Sequence, residues 1–587
     1  MDSPGHSGGP HARDPAPEAA SGGSGAGHAA GPTPRSVLAA WWVTALVLGV
    51  GVLLRLSVLA ADAPDYPRYG AAWGDEGPWA WPAAYRSVTG EWPAAAETVV
   101  RGAPAYEWTL AWFLQVVGPG LVQARLLSLL AGVGTVLLLI QMGRAHVSSR
   151  AGFLAACLYV PSFWPILYER HAAPESLAVF LATASAALAL SPRPLLRRAV
   201  APATAVLAFA AKATLVFLPV LILWAPRWTR RRDPPAPKPD RRHRILALVV
   251  VGAAALVFLL QLVSTASFVS TAGPSASSPW QWLTSLAWRV LTAPLHADFF
   301  LSMPVVLVGL ILLAVRGAPE SPGARACAVL FTGWVAAWWA IIPLYDLKGS
   351  RYYLLTVPLV MLAALGWSEA SRRPRPTSPP SGGSGVRWPV WAVAGALSLW
   401  VALLLAIEGS IVAGIRARAS LPVLAPVALA VATLFLTRPS LRGRVTSLLG
   451  TGRVVPWVAV GVLATHVPWW WHWRSHATAE ALGAVRSVAE APTLEGGLCG
   501  GEAPLLLLGQ PGKGQALYPV YQPDCVLEGR QADLVVVAVT PECVPFEGAW
   551  IRERRPRLLA QEPLLAVTLP AAASQRQPCE FRVVVTP

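Results

Sequence analysis

The feature that most constrains this chain is a series of long apolar runs that recurs from residue 37 to residue 471. A helix of about 20 predominantly apolar residues crosses the core of a bilayer. Charged residues make up 13% of the 587 residues and apolar residues 54%, whereas soluble globular chains carry about 25% charged residues. The sequence therefore excludes an ordinary soluble enzyme and a single membrane anchor. It predicts a mostly α-helical protein that crosses the membrane many times.

The basic residues indicate how the chain is oriented. The net charge is +16, but the arginines stand in short clusters between apolar runs and form no basic stripe on a polar domain, so a nucleic-acid partner is excluded. Clusters of this kind mark cytoplasmic loops. They lie at 144–150, 193–198, 227–244, 316–325, 372–387 and 438–453. One pair of spans between successive clusters predicts thirteen spans in the cytoplasmic (inner) membrane, with the amino terminus inside and the carboxyl terminus outside.

The predicted organisation has three parts. Residues 1–34 are rich in Gly, Ser, Ala and Pro and are expected to be a disordered cytoplasmic tail. Residues 35–473 form the transmembrane domain, whose first extracytoplasmic loop covers 61–120. The predicted spans are 37–60, 121–142, 151–168, 175–190, 199–211, 213–226, 245–268, 301–315, 326–344, 352–367, 388–408, 421–437 and 454–471.

The stretch 199–226 allows two interpretations. As one span it would hold Lys212 near its centre, at a cost of about 2.5–3.5 kcal/mol, and it would move the next arginine cluster to the outer side. Two short helices that meet at Lys212 on the outer side avoid both penalties, and we prefer this interpretation.

Residues 474–587 have short β-rich apolar runs at 504–508, 534–539 and 581–585, separated by turn residues, which predicts a small soluble α/β domain. Four of the six cysteines lie in it. An even set in one soluble domain indicates two disulfides and an oxidising compartment; a zinc site is the alternative, although a Cys-x-x-Cys pair is absent from the sequence. Four cysteines allow three pairings, and the four are Cys499, Cys525, Cys543 and Cys579.

A pair of adjacent carboxylates, Asp75 and Glu76, lies in the long Trp- and Pro-rich first loop. Just beyond a membrane helix, one carboxylate can remove a proton from an acceptor hydroxyl while the other orients the acceptor or a cation. The same pair also fits a solvated acidic turn, and alone it is a weak signal.

Several cations are predicted to lie on the same outer side. Ionisable residues within or beside membrane helices are costly and usually functional. Taken singly, Arg55 could extend to the interface, Arg170 could pair with Glu169 or Glu175, and Lys348 could be solvated. Together they predict a cationic site for a lipid phosphate, held by charge-assisted hydrogen bonds. Its residues are Arg55, Arg125, Arg170, Lys212, Lys348 and Arg351.

The order of these residues resembles a known family. Asp75-Glu76, then Pro104-Ala105-Tyr106 and an aromatic stretch, then 118–132 and Gly143-Arg144, is similar to the start of the GT-C membrane glycosyltransferases. The nearest branches are the protein O-mannosyltransferases and the lipid A aminoarabinose transferases. Further similarities are the segment 170–175 before a span, Lys212 between short helices, and the element 348–355 with Pro358, which resembles the family's Arg-Tyr-Leu-Leu-Pro element and adds Tyr352 to the predicted phosphate-binding residues.

The resemblance implies a hexosyl or pentosyl transfer by inverting displacement. The donor would be a polyprenyl-phosphate sugar held in the membrane lipids, and the acceptor a protein, lipid or glycan outside the cytoplasm. Asp75 would act as the base, and Arg125, Lys212 and Arg351 would stabilise the departing phosphate. No cofactor is predicted; Glu76 could help to hold a divalent cation, but the sequence shows no cluster of metal ligands. The alternatives are a lipid or glycolipid transporter, which predicts internal repeats, and an assembly factor.

Overall fold

The computed structural model describes residues 34–59, 76–93, 97–229, 241–272, 280, 304–316, 319, 321–341 and 353–372. Beyond these it describes isolated residues between 455 and 463 and the strands between 498 and 585. The predicted tail 1–34 falls almost wholly outside this set, as do the predicted spans 388–408 and 421–437 and most of 454–471.

The described part is mostly helical. The first four helices are α1 (Pro34–Ser57), α2 (Glu76–Thr89), α3 (Glu97–Gly102) and α4 (Pro104–Val117). They are followed by α5 (Leu121–His146), α6 (Ser149–Tyr159), α7 (Phe163–Tyr168), α8 (Pro174–Ala189), α9 (Ala201–Ala211), α10 (Leu218–Thr229) and α11 (Arg241–Ala272). The last three are α12 (Pro304–Arg316), α13 (Pro322–Ile341) and α14 (Tyr353–Arg372).

Every predicted span from 37–60 to 352–367 has a helical counterpart, because hydrophobic runs and arginine clusters fix where such helices can begin and end. Within the described ranges, α5 is the one helix long and apolar enough by itself to cross a bilayer, and shorter apolar segments include Ala45–Ser57, Pro174–Ala189 and Tyr353–Glu369. The total of thirteen spans stays a prediction.

The structure divides one predicted span. Instead of a continuous helix over 151–168, α6 ends at Tyr159 and α7 begins at Phe163. Pro161 lacks a backbone N–H and Ser162 is extended (φ −64°, ψ 138°), so the first helix cannot continue through this point. The break turns the chain toward the segment 168–175.

The interpretation of 199–226 as two helices agrees with the structure. Helix α9 ends at Ala211, Lys212 has an extended backbone (φ −149°, ψ 112°), and a 3₁₀ turn, Ala213–Leu215, leads to α10. Helices α9 and α10 pack against each other. Lys212 therefore lies at the turn of a helical hairpin.

The helical core is centred on α5 and α8. Helix α5 packs against α4, α6 and α8, α8 packs against α9, and α14 packs against α12, α13 and α6. Small residues allow the closest approaches: a Cβ at Gly143 of α5 would collide with the backbone of Gly152 in α6, and one at Gly366 of α14 with the backbone of Gly309 in α12. Contacts between small residues are typical of helices that pack inside a membrane.

The strands near the carboxyl terminus form two sheets. They are β1 (Leu498–Gly500), β2 (Leu517–Pro519), β3 (Val526–Leu527), β4 (Arg530–Gln531), β5 (Leu534–Ala538), β6 (Leu565–Leu569) and β7 (Cys579–Val585). The larger sheet has the order β2-β1-β5-β7-β6; β1 is parallel to β2 and β5, and β7 is antiparallel to β5 and β6. Strands β3 and β4 form an antiparallel pair.

Two of the three predicted β-rich runs, 534–539 and 581–585, thus correspond to strands β5 and β7, whereas 504–508 lies outside the described residues. That residues 474–587 form a separate extracytoplasmic domain stays a prediction. Cys157 and Cys327 are buried free thiols in α6 and α13. Of the disulfide candidates, Cys525 and Cys543 lie outside the described residues, and for Cys499 and Cys579 the structure describes the strands but no pairing.

Candidate active site

The structure brings distant predicted site residues to one end of the helical bundle. Arg55 lies near the end of α1, Glu76 at the start of α2, Arg125 in the first turns of α5, Arg170 between α7 and α8, and Lys212 between α9 and α10. Asp75, Lys348, Arg351 and Tyr352 lie outside the described residues, so their placement stays a prediction.

Glu76 and Arg125 form a buried ion pair. Arg125 Nε donates to Glu76 Oε1 at 2.7 Å and Arg125 Nη2 donates to Oε2 at 2.8 Å, the two-pronged geometry in which arginine and carboxylate bind most strongly. The backbone N–H of Ala172 donates to Glu76 Oε1 at 2.7 Å. Glu76 therefore links α2 to α5 and to the segment before α8.

Arginines also hold the end of α1. The last carbonyls of a helix lack partners within it. Arg170 Nη1 donates to the carbonyl of Val58 at 2.7 Å, and Arg125 Nη1 donates to that of Leu59 at 2.9 Å. These contacts fix the end of the first helix beside the carboxylate site.

Glu169 is the centre of a second buried network. Arg55 Nε donates to its Oε2 at 2.5 Å, and the hydroxyls of Tyr159 and Tyr353 donate to its Oε1 at 2.7 and 3.3 Å. The two hydroxyls are 3.0 Å apart. Gly132 makes room for this carboxylate, because a Cβ there would lie 2.6 Å from Oε1. Glu169 thus connects α1, α6 and α14, and α14 begins within the predicted element 348–355.

Lys212 closes the site on the side of α8. Its Nζ donates to Glu175 Oε1 at 2.6 Å and lies 5.2 Å from the ring centre of Trp79. Glu175 stands in the first turn of α8, where the helix dipole favours a negative charge. The Lys212 side chain is 15% exposed, while Arg55, Arg125 and Arg170 are buried.

Three further buried side chains belong to the site: Tyr106, Glu107 and His171. Tyr106 is buried, and burial raises the pKa of its hydroxyl, with further contributions from the charges of Glu107, Glu76 and Glu175. Burial also raises the pKa of the Glu107 carboxyl well above its usual range. His171 is buried too, and burial, followed by the charges of Arg170 and Arg125, lowers the pKa of its imidazole well below the usual range.

The sequence interpretation missed part of this site. It considered Glu169 and Glu175 only as partners of Arg170, and it did not predict that Glu169 binds Arg55 and that Glu175 binds Lys212. It gave Tyr106, His171 and Tyr353 no role. Carboxylates at the ends of membrane helices are as costly to bury as cations, so the sequence could have indicated them as site residues by the same argument. Which cation each carboxylate binds depends on how helices far apart in sequence approach one another.

The arrangement can bind an anion and exclude water. Arginine and lysine side chains from four segments converge with buried tyrosines where α1 ends and α5 begins. In the ranges that the structure covers, no group of three His, Cys, Asp or Glu side chains could hold a metal ion. Preorganised cations in a water-poor site stabilise developing negative charge more strongly than they would in water.

Comparisons with solved structures agree with the predicted resemblance. The chain shares its fold with ArnT from Cupriavidus metallidurans bound to undecaprenyl phosphate, with a TM-score of 0.51, 16% identity, and coverage of 93% of this chain and 98% of that one. ArnT is a lipid A aminoarabinose transferase of the GT-C superfamily. The predicted likeness to GT-C membrane glycosyltransferases is therefore confirmed at the level of the fold.

Two further matches are weaker. The apo structure of ArnT from Cupriavidus metallidurans matches with a TM-score of 0.47, 17% identity, and 93% and 98% coverage. Arabinosyltransferase EmbB from Mycobacterium smegmatis matches with a TM-score of 0.45, 18% identity, and coverage of 77% of this chain and 41% of that one. No protein-family model matches the sequence. No curated protein matches it either.

Proposed function

We propose that this protein is an integral membrane glycosyltransferase that moves a sugar from a polyprenyl-phosphate donor to an acceptor outside the cytoplasm. The observation that carries the proposal is the convergence of Arg55, Arg125, Arg170 and Lys212 at one end of the bundle. ArnT, which has the same fold, was crystallised with undecaprenyl phosphate, a ligand whose head group needs such cations.

Among the cations, Lys212 is the best placed to contact the phosphate. It is partly exposed, and among the described residues its ammonium group contacts one carboxylate, that of Glu175. Arg125 donates to both carboxylate oxygens of Glu76, so we infer that it positions the start of α2 and contributes positive charge without contacting the phosphate. The predicted contacts of Lys348, Arg351 and Tyr352 with the phosphate remain part of the proposal.

The reaction would be an inverting displacement. Asp75 takes the proton of the acceptor hydroxyl, the acceptor oxygen attacks the anomeric carbon, and the bond to the phosphate oxygen breaks with its electron pair left on the phosphate. The neighbouring cations stabilise that charge. Asp75 directly precedes Glu76, whose carboxylate is fixed by Arg125 and Ala172, and this anchor supports a defined position for the base.

The proposal includes a membrane arrangement. The protein would lie in the cytoplasmic membrane with about thirteen spans, its amino terminus inside and residues 474–587 outside. The sugar-bearing head group would then meet the acceptor at the outer surface, where Lys212 and the segment 168–175 are expected.

An Asp75→Asn variant tests the base. Membranes that contain the acceptor, from cells that lack this protein, would receive the purified protein and undecaprenyl phosphate linked to a radiolabelled sugar. Transfer of label out of the lipid fraction should fall roughly 10²–10⁴-fold in the variant. Glu91→Gln, an exposed carboxylate of the same loop, serves as the matched control and should stay near the wild-type rate. An unchanged rate in Asp75→Asn refutes the base, and no transfer by the wild type from any of several sugars refutes the enzyme class.

A further inference from the structure

Several polar atoms at the site are buried without a partner in the described part of the chain, and Tyr106 Oη and Glu175 Oε2 are two of them. Tyr106 is 0% and Glu175 4% exposed, and among the residues that the structure describes neither Tyr106 Oη nor Glu175 Oε2 has a hydrogen-bond partner. Buried polar groups are paired in roughly 90% or more of cases, and leaving one unpaired costs about 1–3 kcal/mol. Two such atoms in one site indicate that a ligand or ordered water completes them.

Contacts connect both residues to the surroundings of Trp79. Glu175 and Trp79 contact the same ammonium group, because Lys212 Nζ lies 2.6 Å from Glu175 Oε1 and 5.2 Å from the centre of the Trp79 ring. The ring also borders Gly102, whose added Cβ would lie 3.7 Å from Trp79 Cη2. Tyr106 lies four residues after Gly102, on α4, which packs against α2, the helix that carries Trp79. The negative charge of Glu175 is one of the contributions that raise the pKa of the Tyr106 hydroxyl.

Three carboxylates of this region are each paired with a cation. Glu76 is paired with Arg125, Glu169 with Arg55 and Glu175 with Lys212. Burial raises the pKa of Glu107, which favours its neutral form. Within the described ranges, therefore, every carboxylate at the site is neutralised, and an ammonium group on a ligand would find no unpaired negative charge there.

We propose that Tyr106 Oη and Glu175 Oε2 bind hydroxyl groups of the donor's sugar, that Trp79 forms the wall of this subsite, and that the sugar is uncharged. This inference rests on the proposed function. A phenol both donates and accepts, and a carboxylate oxygen accepts, so the pair matches the hydroxyls of a neutral pentose or hexose. A few fixed polar groups against an aromatic wall are typical of small-molecule sites.

Binding to protein in lipid nanodiscs tests the subsite. The three probes are undecaprenyl phosphate, undecaprenyl phosphate linked to arabinose, and the same lipid linked to 4-amino-4-deoxyarabinose. The wild type should bind the arabinose lipid more tightly than the other two. Tyr106→Phe removes one buried hydroxyl and should weaken binding of the arabinose lipid roughly 3- to 10-fold, with no change for undecaprenyl phosphate.

Controls separate the outcomes. Tyr85→Phe, a half-buried tyrosine of α2, should bind all three lipids as the wild type does. If Tyr106→Phe unfolds, Glu175→Gln replaces it: because Glu175 also pairs with Lys212, the readout is the ratio of the two affinities, and the affinity for the arabinose lipid should fall relative to that for undecaprenyl phosphate. Equal affinity of wild type and Tyr106→Phe for the arabinose lipid would mean that water fills the subsite and overturns the inference, as would tighter binding of the amino sugar. If the wild type binds undecaprenyl phosphate but ignores the sugar, the inference alone fails; if it binds no prenyl phosphate, the proposed function fails with it.

Discussion

At the scale of single residues, most arginines of the site hold protein groups together. Arg125 joins Glu76 to the end of α1, and Arg55 joins Glu169 to the carbonyls of Gly51 and Val160. Removing one partner of a buried ion pair leaves an uncompensated charge in a medium of low dielectric constant, which costs more than the pair itself contributes. The ion pairs should therefore respond very differently to single and double substitutions.

A double-mutant cycle on Glu76 and Arg125 checks this expectation. Glu76→Gln and Arg125→Gln should each destabilise the protein by about 3–5 kcal/mol, seen as a lower melting temperature in mild detergent. The double variant, which carries no buried charge at this position, should lose clearly less than the sum. Glu91→Gln should melt like the wild type. Additive losses would contradict a direct interaction between the two side chains.

His171 predicts a pH dependence of stability. Its pKa is lowered in the folded state by burial and by Arg170 and Arg125, so below a pH of about 6.5 the unfolded chain binds a proton that the folded chain does not. Stability should therefore fall as the pH drops through this value, by at most about 1.4 kcal/mol per pH unit.

A comparison of wild type and His171→Gln isolates this contribution. Between pH 7.5 and 5.5 the wild type should lose more stability than the variant, because the variant has no imidazole to protonate at this position. Other titrating groups, Glu107 included, are present in both proteins and cancel. Parallel melting curves over this pH range would exclude His171 as the cause.

At the scale of elements, one carboxylate connects three helices. Glu169 binds groups on α1, α6 and α14, and Tyr168 stacks on Tyr353 with ring centres 5.4 Å apart. Helix α5 contributes no polar group to this contact; it contributes the space at Gly132. The start of α14, and with it the direction of the chain before residue 353, therefore depends on a small residue in a different helix.

Gly132→Ala tests that dependence. The added methyl group would overlap the Glu169 side chain, so the melting temperature should fall, consistent with a cost of about 1–3 kcal/mol for overpacking. Gly49→Ala is the matched control: it also lies within a helix, but nothing stands within 4 Å of its added Cβ, and alanine favours a helix over glycine by about 1 kcal/mol. A variant Gly132→Ala as stable as Gly49→Ala would mean that Glu169 can move aside at little cost.

At the scale of the whole molecule, the sequence was sufficient for some features. Apolar runs and arginine clusters predicted helices at the positions of α1 and of α5 to α14 and the hairpin at Lys212, because the cost of placing charge in lipid acts on local sequence. They did not predict the helices α2 to α4 of the first loop or the break between α6 and α7. The sequence could not predict which carboxylate each cation binds, since Arg55 and Glu169 are 114 residues apart. Such pairs are set by the close approach of helices at glycines, and a single sequence carries no record of those contacts.

The two ends of the bundle differ in charge. Carboxylates and cations meet where α1 ends and α5 and α8 begin, whereas Arg144 and Arg193 lie at or beyond the opposite ends of α5 and α8. Helix α5, with 26 residues, is about 39 Å long, enough to separate the two ends by a bilayer. If arginine clusters mark the cytoplasmic side, the site faces outward.

Cysteine labelling decides the orientation. Glu91→Cys and Arg193→Cys replace exposed residues, the first in the predicted outer loop 61–120 and the second in the predicted cytoplasmic cluster 193–198. In intact spheroplasts a membrane-impermeant maleimide should label Glu91→Cys, and it should label Arg193→Cys only after the membrane is permeabilised. Cys157 and Cys327 are buried and should contribute little background, and the wild-type chain measures the labelling of the remaining cysteines. The reverse pattern would place the cation-rich site in the cytoplasm, where the positive-inside rule would fail for this chain and transfer to an external acceptor would be impossible.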